Sequence, residues 1–246
     1  MAILHEEVSN GSCYQVRSAG KTRRLYTDGV FHTQYHPEYL FTNAVWDVLS
    51  LPALYAQHPP TKILMLGVGG GAAIHQLQQI LSPDQITGID INPIHLRLAR
   101  RFFNLKYPNL KLITGDAIRH IRTRRRRYDL IVDDVFVEAF NPVRPIQMDE
   151  NWIQKLSERL TANGLLIQNH ISTRSLNNWL QHNDSFLRQT FSSLLVFRSD
   201  TCTNAVMAAF KEPASSRNRQ QVHQQLTDQF GRGVLRRLNY RVETRF

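Results

Sequence analysis

The sequence predicts an α/β fold built on a doubly wound, mostly parallel sheet. Short apolar runs alternate with segments of helical periodicity from residue 61 to about 211, and the first run ends in glycines that open a helix. The last two apolar runs stand too close together for a helix between them, which predicts an antiparallel hairpin at one sheet edge.

The elements follow in order. Residues 14–18 and 23–26 read as short strands closing on the Asp28-Gly29 turn, and residues 1–45 as a small N-terminal β segment. The α/β domain then takes residues 46–246. Residues 62–68 (Lys-Ile-Leu-Met-Leu-Gly-Val) are apolar without alternation, as a strand buried on both faces requires. Ile74, Leu77 and Ile80 recur at helical spacing. A strand over 86–91 precedes a helix over 93–103 with Pro93 in its first turn. A strand over 110–114 leads to a helix running from Ala117 into arginines. Strand 128–135, helix 150–160 and strand 165–171 follow, with Gly164 stopping the helix. A helix over 175–191, hairpin strands over 194–198 and 205–210, and a sparsely apolar helix over 217–230 complete the chain.

Composition bounds the function. At 246 residues, 42% hydrophobic and 20% charged, the chain is not a mostly disordered one. No apolar run approaches the ~18 residues of a bilayer span, and Met1 to Glu7 lack the basic and apolar regions of a signal peptide. Cys13 and Cys202 are too few for a disulfide framework or a zinc cage, and the ten histidines show no metal-ligand spacing. A soluble cytoplasmic protein without a metal is expected. The formal charge of +10 favours polyanions. It concentrates in Arg119, Arg122 and Arg124 to Arg127, and again in Arg232, Arg236, Arg237, Arg241 and Arg245. Such runs serve as solvated faces, as nucleic-acid contacts or as seats for an acidic protein.

The chemistry lies at strand ends. Gly67-Val68-Gly69-Gly70-Gly71-Ala72 joins a strand to a helix, where glycines let the backbone approach a ligand and the helix N-terminus offers free N–H groups. Asp90 closes the next strand, about twenty residues on, where a carboxylate accepts hydrogen bonds from ribose hydroxyls. Asp116, in Thr114-Gly115-Asp116-Ala117, closes the third and could accept from an adenine amino group. Each Asp is also placed to cap a helix. Their conjunction at successive strand ends reads as one adenosine crevice. Asp133 and Asp134 end the fourth strand and face opposite ways, so only one reaches that crevice. A carboxylate there could orient or deprotonate an amine nucleophile, or instead cap a turn or pair with an arginine. His170 and its neighbour Asn169 end the fifth strand near the cleft. Trp46, Trp152 and Trp179 sit in helical patterns and read as packing residues.

From Gly67 to Asp134 the chain resembles the spermidine synthase (polyamine aminopropyltransferase) family, and the similarity extends from about residue 10 to 210. That family shares the Rossmann-like fold of class I S-adenosylmethionine-dependent methyltransferases. The resemblance places Tyr14-Gln15 on the family's N-terminal Tyr-Gln pair and Thr27-Asp28-Gly29-Val30 on its Leu-Asp-Gly-Val turn. Asp90 falls on its ribose-binding acid, Gly115-Asp116 on its adenine-binding Gly-Asp, and Asp134 on its catalytic Asp. His32 stands where the family carries a cofactor-facing Gln. The resemblance thus implies a cofactor site of Gln15, Gly67, Gly69, Gly70, Gly71, Asp90, Asp116 and Ala117, with Asp134 beside a small-molecule acceptor. A homodimer is the family's expectation too.

The departures fall on the acceptor side. The family's Gly-Gly-Gly-Asp-Gly-Gly loop carries an Asp that binds the amine of decarboxylated S-adenosylmethionine; this chain has Gly70. The Tyr-His/Gln-Glu segment becomes Phe41-Thr42-Asn43, Asp-Ser-Ser-Asp-Pro becomes Asp134-Val135-Phe136-Val137-Glu138, and Tyr-Pro-Ser-Gly becomes Thr201-Cys202-Thr203-Asn204. A pocket for polycations should be lined with carboxylates, so these losses suggest a changed acceptor, a changed transferred group or lost catalysis. An Asp at residue 70 would repel a carboxylate, and glycine removes that repulsion, favouring S-adenosylmethionine over its decarboxylated form. The expectation is a transferase moving a methyl or aminopropyl group. The alternative is an inactive nucleotide-binding or RNA-associated module.

Overall fold

The computed structural model describes residues 1–136, 144–146 and 149–246. Two sheets organise the chain. The first is an antiparallel meander of β1 (Ala2–Ser9), β2 (Ser12–Ala19), β3 (Thr22–Thr27) and β4 (Val30–Tyr35). Its tight turns use left-handed backbone at Asn10-Gly11 and Asp28-Gly29, the residue pair that suits such turns. Asp28 is pinned further, because its carboxylate accepts the Cys13 N–H at 2.7 Å. Where the sequence predicts two strands, the meander has four. Tyr14, Val16 and Leu25 form its buried face, packed on Leu98 and Phe103.

The second sheet contains β5 (Lys62–Leu66), β6 (Gln85–Asp90), β7 (Leu110–Thr114), β8 (Tyr128–Asp133), β9 (Leu160–His170), β10 (Ser193–Arg198), β11 (Ala205–Phe210) and β12 (Arg241–Thr244). Its order is β12-β10-β11-β9-β8-β5-β6-β7. Strands β5 to β9 pair in parallel, so the expected fold class holds. The hairpin of β10 and β11 also forms, with a difference in placement. β11 pairs antiparallel to β9 and β12 covers the outer side of β10, so the hairpin is not the edge.

Helices cover both faces, which explains the unalternating apolar strands. Ile63 and Met65 of β5 point into one core with residues of α1 (Val45–Ser50), α2 (Ala72–Leu81), α3 (Pro93–Phe102) and α7 (Arg219–Phe230). Leu64 and Leu66 point into the other, with α4 (Ala117–Thr123), α5 (Glu150–Glu158) and α6 (Thr173–Thr190). α5 ends before the predicted boundary, because β9 starts at Leu160 and pairs irregularly with Tyr128 before its main register begins at Leu165. Among the described residues, no helix is long and apolar enough to cross a membrane.

Candidate active site

The sheet's order reverses between β5 and β8, and a crevice opens outside the carboxyl ends of its strands there. Gly67 makes the crevice possible. Its φ is +82°, and a Cβ would stand 2.2 Å from the Asp134 carbonyl oxygen. Only glycine lets the ends of β5 and β8 close to the 2.9 Å bond from the Asp134 N–H to the Leu66 carbonyl.

Around this point lies a cavity of about 1470 Å³. Of the residues singled out from sequence, Gly67, Gly69, Asp90, Asp116, Ala117, Asp134, His32 and Asn169 line it. Asp90 Oδ2 accepts from the N–H groups of Val68 (2.9 Å) and Gly69 (2.8 Å), and Oδ1 accepts from Asn92 (2.8 Å). The carboxylate thereby shapes the glycine loop as well as facing the cavity. Burial raises the Asp90 pKa above the usual carboxylate value, against those three donors. Asp116 caps α4 by accepting the Ile118 N–H at 2.7 Å, and it also lines the cavity, so capping and ligand-facing roles coexist.

Gly70, Gly71 and Gln15 stand elsewhere. The Gly70 N–H donates to Thr33 Oγ1 at 2.6 Å, and a Cβ on it would come within 2.8 Å of the Thr33 methyl. Gly70 is packed behind β4 rather than on the cavity wall. Gly71 begins α2, where a Cβ would collide with Leu105 at 2.5 Å. Gln15 lies on the opposite face of β2 from the buried Tyr14 and binds Glu6 and Arg17. Tyr14 is the member of that pair that reaches the cavity, its hydroxyl accepting from Asn92 Nδ2 at 3.0 Å.

The two carboxylates closing β8 part as strand alternation demands. Asp133 is fully buried, accepting from Arg144 Nη2 (2.6 Å), Gln168 Nε2 (2.8 Å) and Trp152 Nε1 (2.9 Å). Burial alone would raise its pKa, but the Arg144 charge and these donors hold it below the usual value. Asp134 faces the cavity, where burial pushes it up to about 7. The Asn169 amide and Arg144 oppose that rise, while Asp133 and Asp90 add to it. Asn169 Nδ2 donates to Asp134 Oδ1 at 2.7 Å, and Asn204 Nδ2 donates to Asn169 Oδ1 at 3.0 Å. The chain Asn204–Asn169–Asp134 fixes the carboxylate and was not foreseen, although Asn204 lies in one of the departing segments. His170 turns the other way, against Trp179 (5.6 Å between rings), with burial holding its pKa down to about 3. Trp152 exceeds the packing role read from sequence, because its indole supports Asp133.

The departing segments converge on the same cavity. Thr42 and Asn43 form one side, and Thr201 to Asn204 another. Val137 and Glu138 lie outside the described residues. His32 is held down to about 4 by burial and the neighbouring His95, so it is a neutral imidazole at pH 7. Among the described residues, no group of three or more His, Cys, Asp or Glu could hold a metal ion.

The doubly wound sheet, with its glycine loop between β5 and α2, defines a domain of the methyltransferase fold. A family profile described as a methyltransferase domain accordingly matches residues 63–164. Within that class the expected resemblance is borne out. A polyamine aminopropyltransferase of Vibrio vulnificus is 25% identical over 154 residues, covering 61% of this chain and 50% of that protein. The chain thus spans about half the length of that curated relative. A spermidine synthase solved with the transition-state analogue AdoDATO superposes with a TM-score of 0.68 at 12% identity, covering 94% of this chain and 88% of the other. Human methyltransferase-like protein 13, solved with SAH, gives 0.57 at 22% identity over 76% of this chain and 89% of its own. At such identities the structures speak for the fold alone.

Proposed function

We propose that this chain is a transferase that binds S-adenosylmethionine or its decarboxylated form and moves a methyl or aminopropyl group to a small-molecule nucleophile. One observation carries the reading: Asp90, Asp116 and Asp134, from successive strand ends, line one cavity beside Gly67 and Gly69. The lining fits the nucleoside. Gly67 and Gly69 line the cavity beside these acids, and in this reading Asp90 takes the ribose hydroxyls and Asp116 the adenine amino group. When bound, such a compound supplies a sulfonium that makes an adjacent carbon electrophilic.

The protein's own work is placement and proton transfer. Asp134 takes the proton that the acceptor nitrogen or oxygen releases as it attacks. Its raised pKa suits a base working near neutrality, and Asn169 keeps one oxygen occupied so that the other meets the acceptor. Among the described residues no acid lines the cavity besides Asp90, Asp116 and Asp134, which supports the parent sulfonium, with its own carboxylate, over the decarboxylated one. Asp134→Asn tests the reading. Turnover should fall by roughly 10²- to 10⁴-fold with nucleoside affinity little changed; unaltered turnover, or no turnover in the parent protein, favours an inactive binding module.

A further inference from the structure

The cavity extends well beyond the nucleoside end, and its outer part has a distinct chemistry. Phe31 and Trp46 meet edge to face at 5.3 Å, and Tyr26 stacks on Phe31 at 5.3 Å. Phe31, Ile91 and Ile171, all on the cavity wall, leave 43%, 67% and 50% of their surface exposed, so they give one cavity several open apolar side chains. Phe136 and Pro145 extend the apolar surface.

Charge is equally one-sided. The only acids lining the cavity among the described residues are Asp90, Asp116 and Asp134, all at the strand ends. Neighbouring carboxylates are committed elsewhere: Asp47 to the backbone of residues 42–44, Glu6 to Gln15, and Glu7 to Arg97. Arg24, by contrast, lines the cavity without an acidic partner among the described residues. Its Nε donates to Gln34 Oε1 at 2.7 Å, Nη1 reaches the Met1 sulfur at 3.3 Å, and its guanidinium lies 5.9 Å from the centre of the Phe31 ring. A half-buried guanidinium beside exposed aromatic surface is suited to an apolar molecule with an anionic group, and it repels a polyamine.

Resting on the transferase reading above, we infer that the acceptor is an apolar, aromatic or long-chain carboxylate-type molecule held by Phe31, Trp46 and Arg24, and not a polycation. The nucleophile on that molecule is delivered to Asp134, and its anionic end pairs with Arg24.

Calorimetry on the full chain, with 5′-methylthioadenosine titrated first, tests this. The nucleoside-loaded protein is then titrated with 4-hydroxybenzoate, decanoate and spermidine. At least one carboxylate should bind ten times more tightly than spermidine. Arg24→Gln should weaken that binding about tenfold, Arg24→Lys should restore most of it, and nucleoside affinity should stay within twofold in both. Absence of nucleoside binding would sink the transferase reading itself. Nucleoside binding with spermidine preferred, with no carboxylate bound, or with a carboxylate affinity indifferent to Arg24→Gln would overturn this inference and leave the transferase reading standing.

Discussion

At the scale of single residues, protonation decides what Asp134 can do. Asp134 can accept a proton only when ionised. With its pKa at about 7, the rate should rise with pH through neutrality and fall below it, where an ordinary carboxylate would give a flat profile above pH 5. Asn169→Leu removes the opposing donor, so the acid limb should move to higher pH, whereas a merely structural Asn169 would lower the rate without moving the limb. A pH–kcat/KM profile of both proteins checks this. The carboxylates were legible in the sequence because each closes an apolar run at a known offset from the glycines. Asn169 and Asn204 were not, since a polar residue at a strand end reveals its partner only once β9 and β11 are in register, with His170 opposite Ala205. Gln15 and Tyr14 show the same limit. Family position named the pair, and strand alternation decided which of the two faces the cavity.

Elements are where small clamps hold the walls. Asp47 in α1 accepts from the N–H groups of Asn43 (2.7 Å), Thr42 (3.1 Å) and Ala44 (3.2 Å), and from Gln76 of α2 at 2.6 Å. It therefore ties the segment at the cavity's side to the helix that follows the glycine loop. Asp47→Ala leaves several buried donors unpaired, so stability should drop by about 3 kcal/mol in denaturant unfolding, with weaker nucleoside binding. Gly67→Ala is harsher, because it combines a forbidden φ with a backbone collision, and it should abolish soluble folded protein. Retained folding of that variant would mean that β5 and β8 do not meet as described. The central strands were readable because burial on both faces makes them continuously apolar. β1 and β12 were not, since their largely exposed residues carry no inside–outside contrast.

The whole molecule balances buried titratable groups. His32, His75 and His95 are held down to about 4, and His170 to about 3, all chiefly by burial. Unfolded histidines bind protons from about pH 6.5 downward, so these four take stability away as pH falls from there towards 4. Asp47, at about 6, and Asp134 act in the opposite sense, gaining as pH falls, because burial favours their protonated forms. Asp90, also raised by burial, joins these two, but the four histidines outweigh the three carboxylates and Tm should drop by a few °C between pH 7 and pH 5. The exposed arginines Arg124, Arg125 and Arg127 make no ion pair among the described residues and sit at the amino end of β8, opposite the cavity. A polyanion bound there would occupy a different pole from the acceptor. Its affinity for a probe such as single-stranded RNA should fall steeply with salt; a flat response rejects that surface.

The central claim is that the strand-end carboxylates form a nucleoside site. Calorimetric titration with S-adenosylmethionine, its decarboxylated form and 5′-methylthioadenosine, repeated on Asp90→Ala, tests it most directly. Binding in the roughly micromolar to submillimolar range, tighter for S-adenosylmethionine than for its decarboxylated form and lost in the variant, is the predicted result. A preference for the decarboxylated form would keep the site but reverse the reading of the cavity's sparse acidic lining. Binding of none of the three would contradict the account.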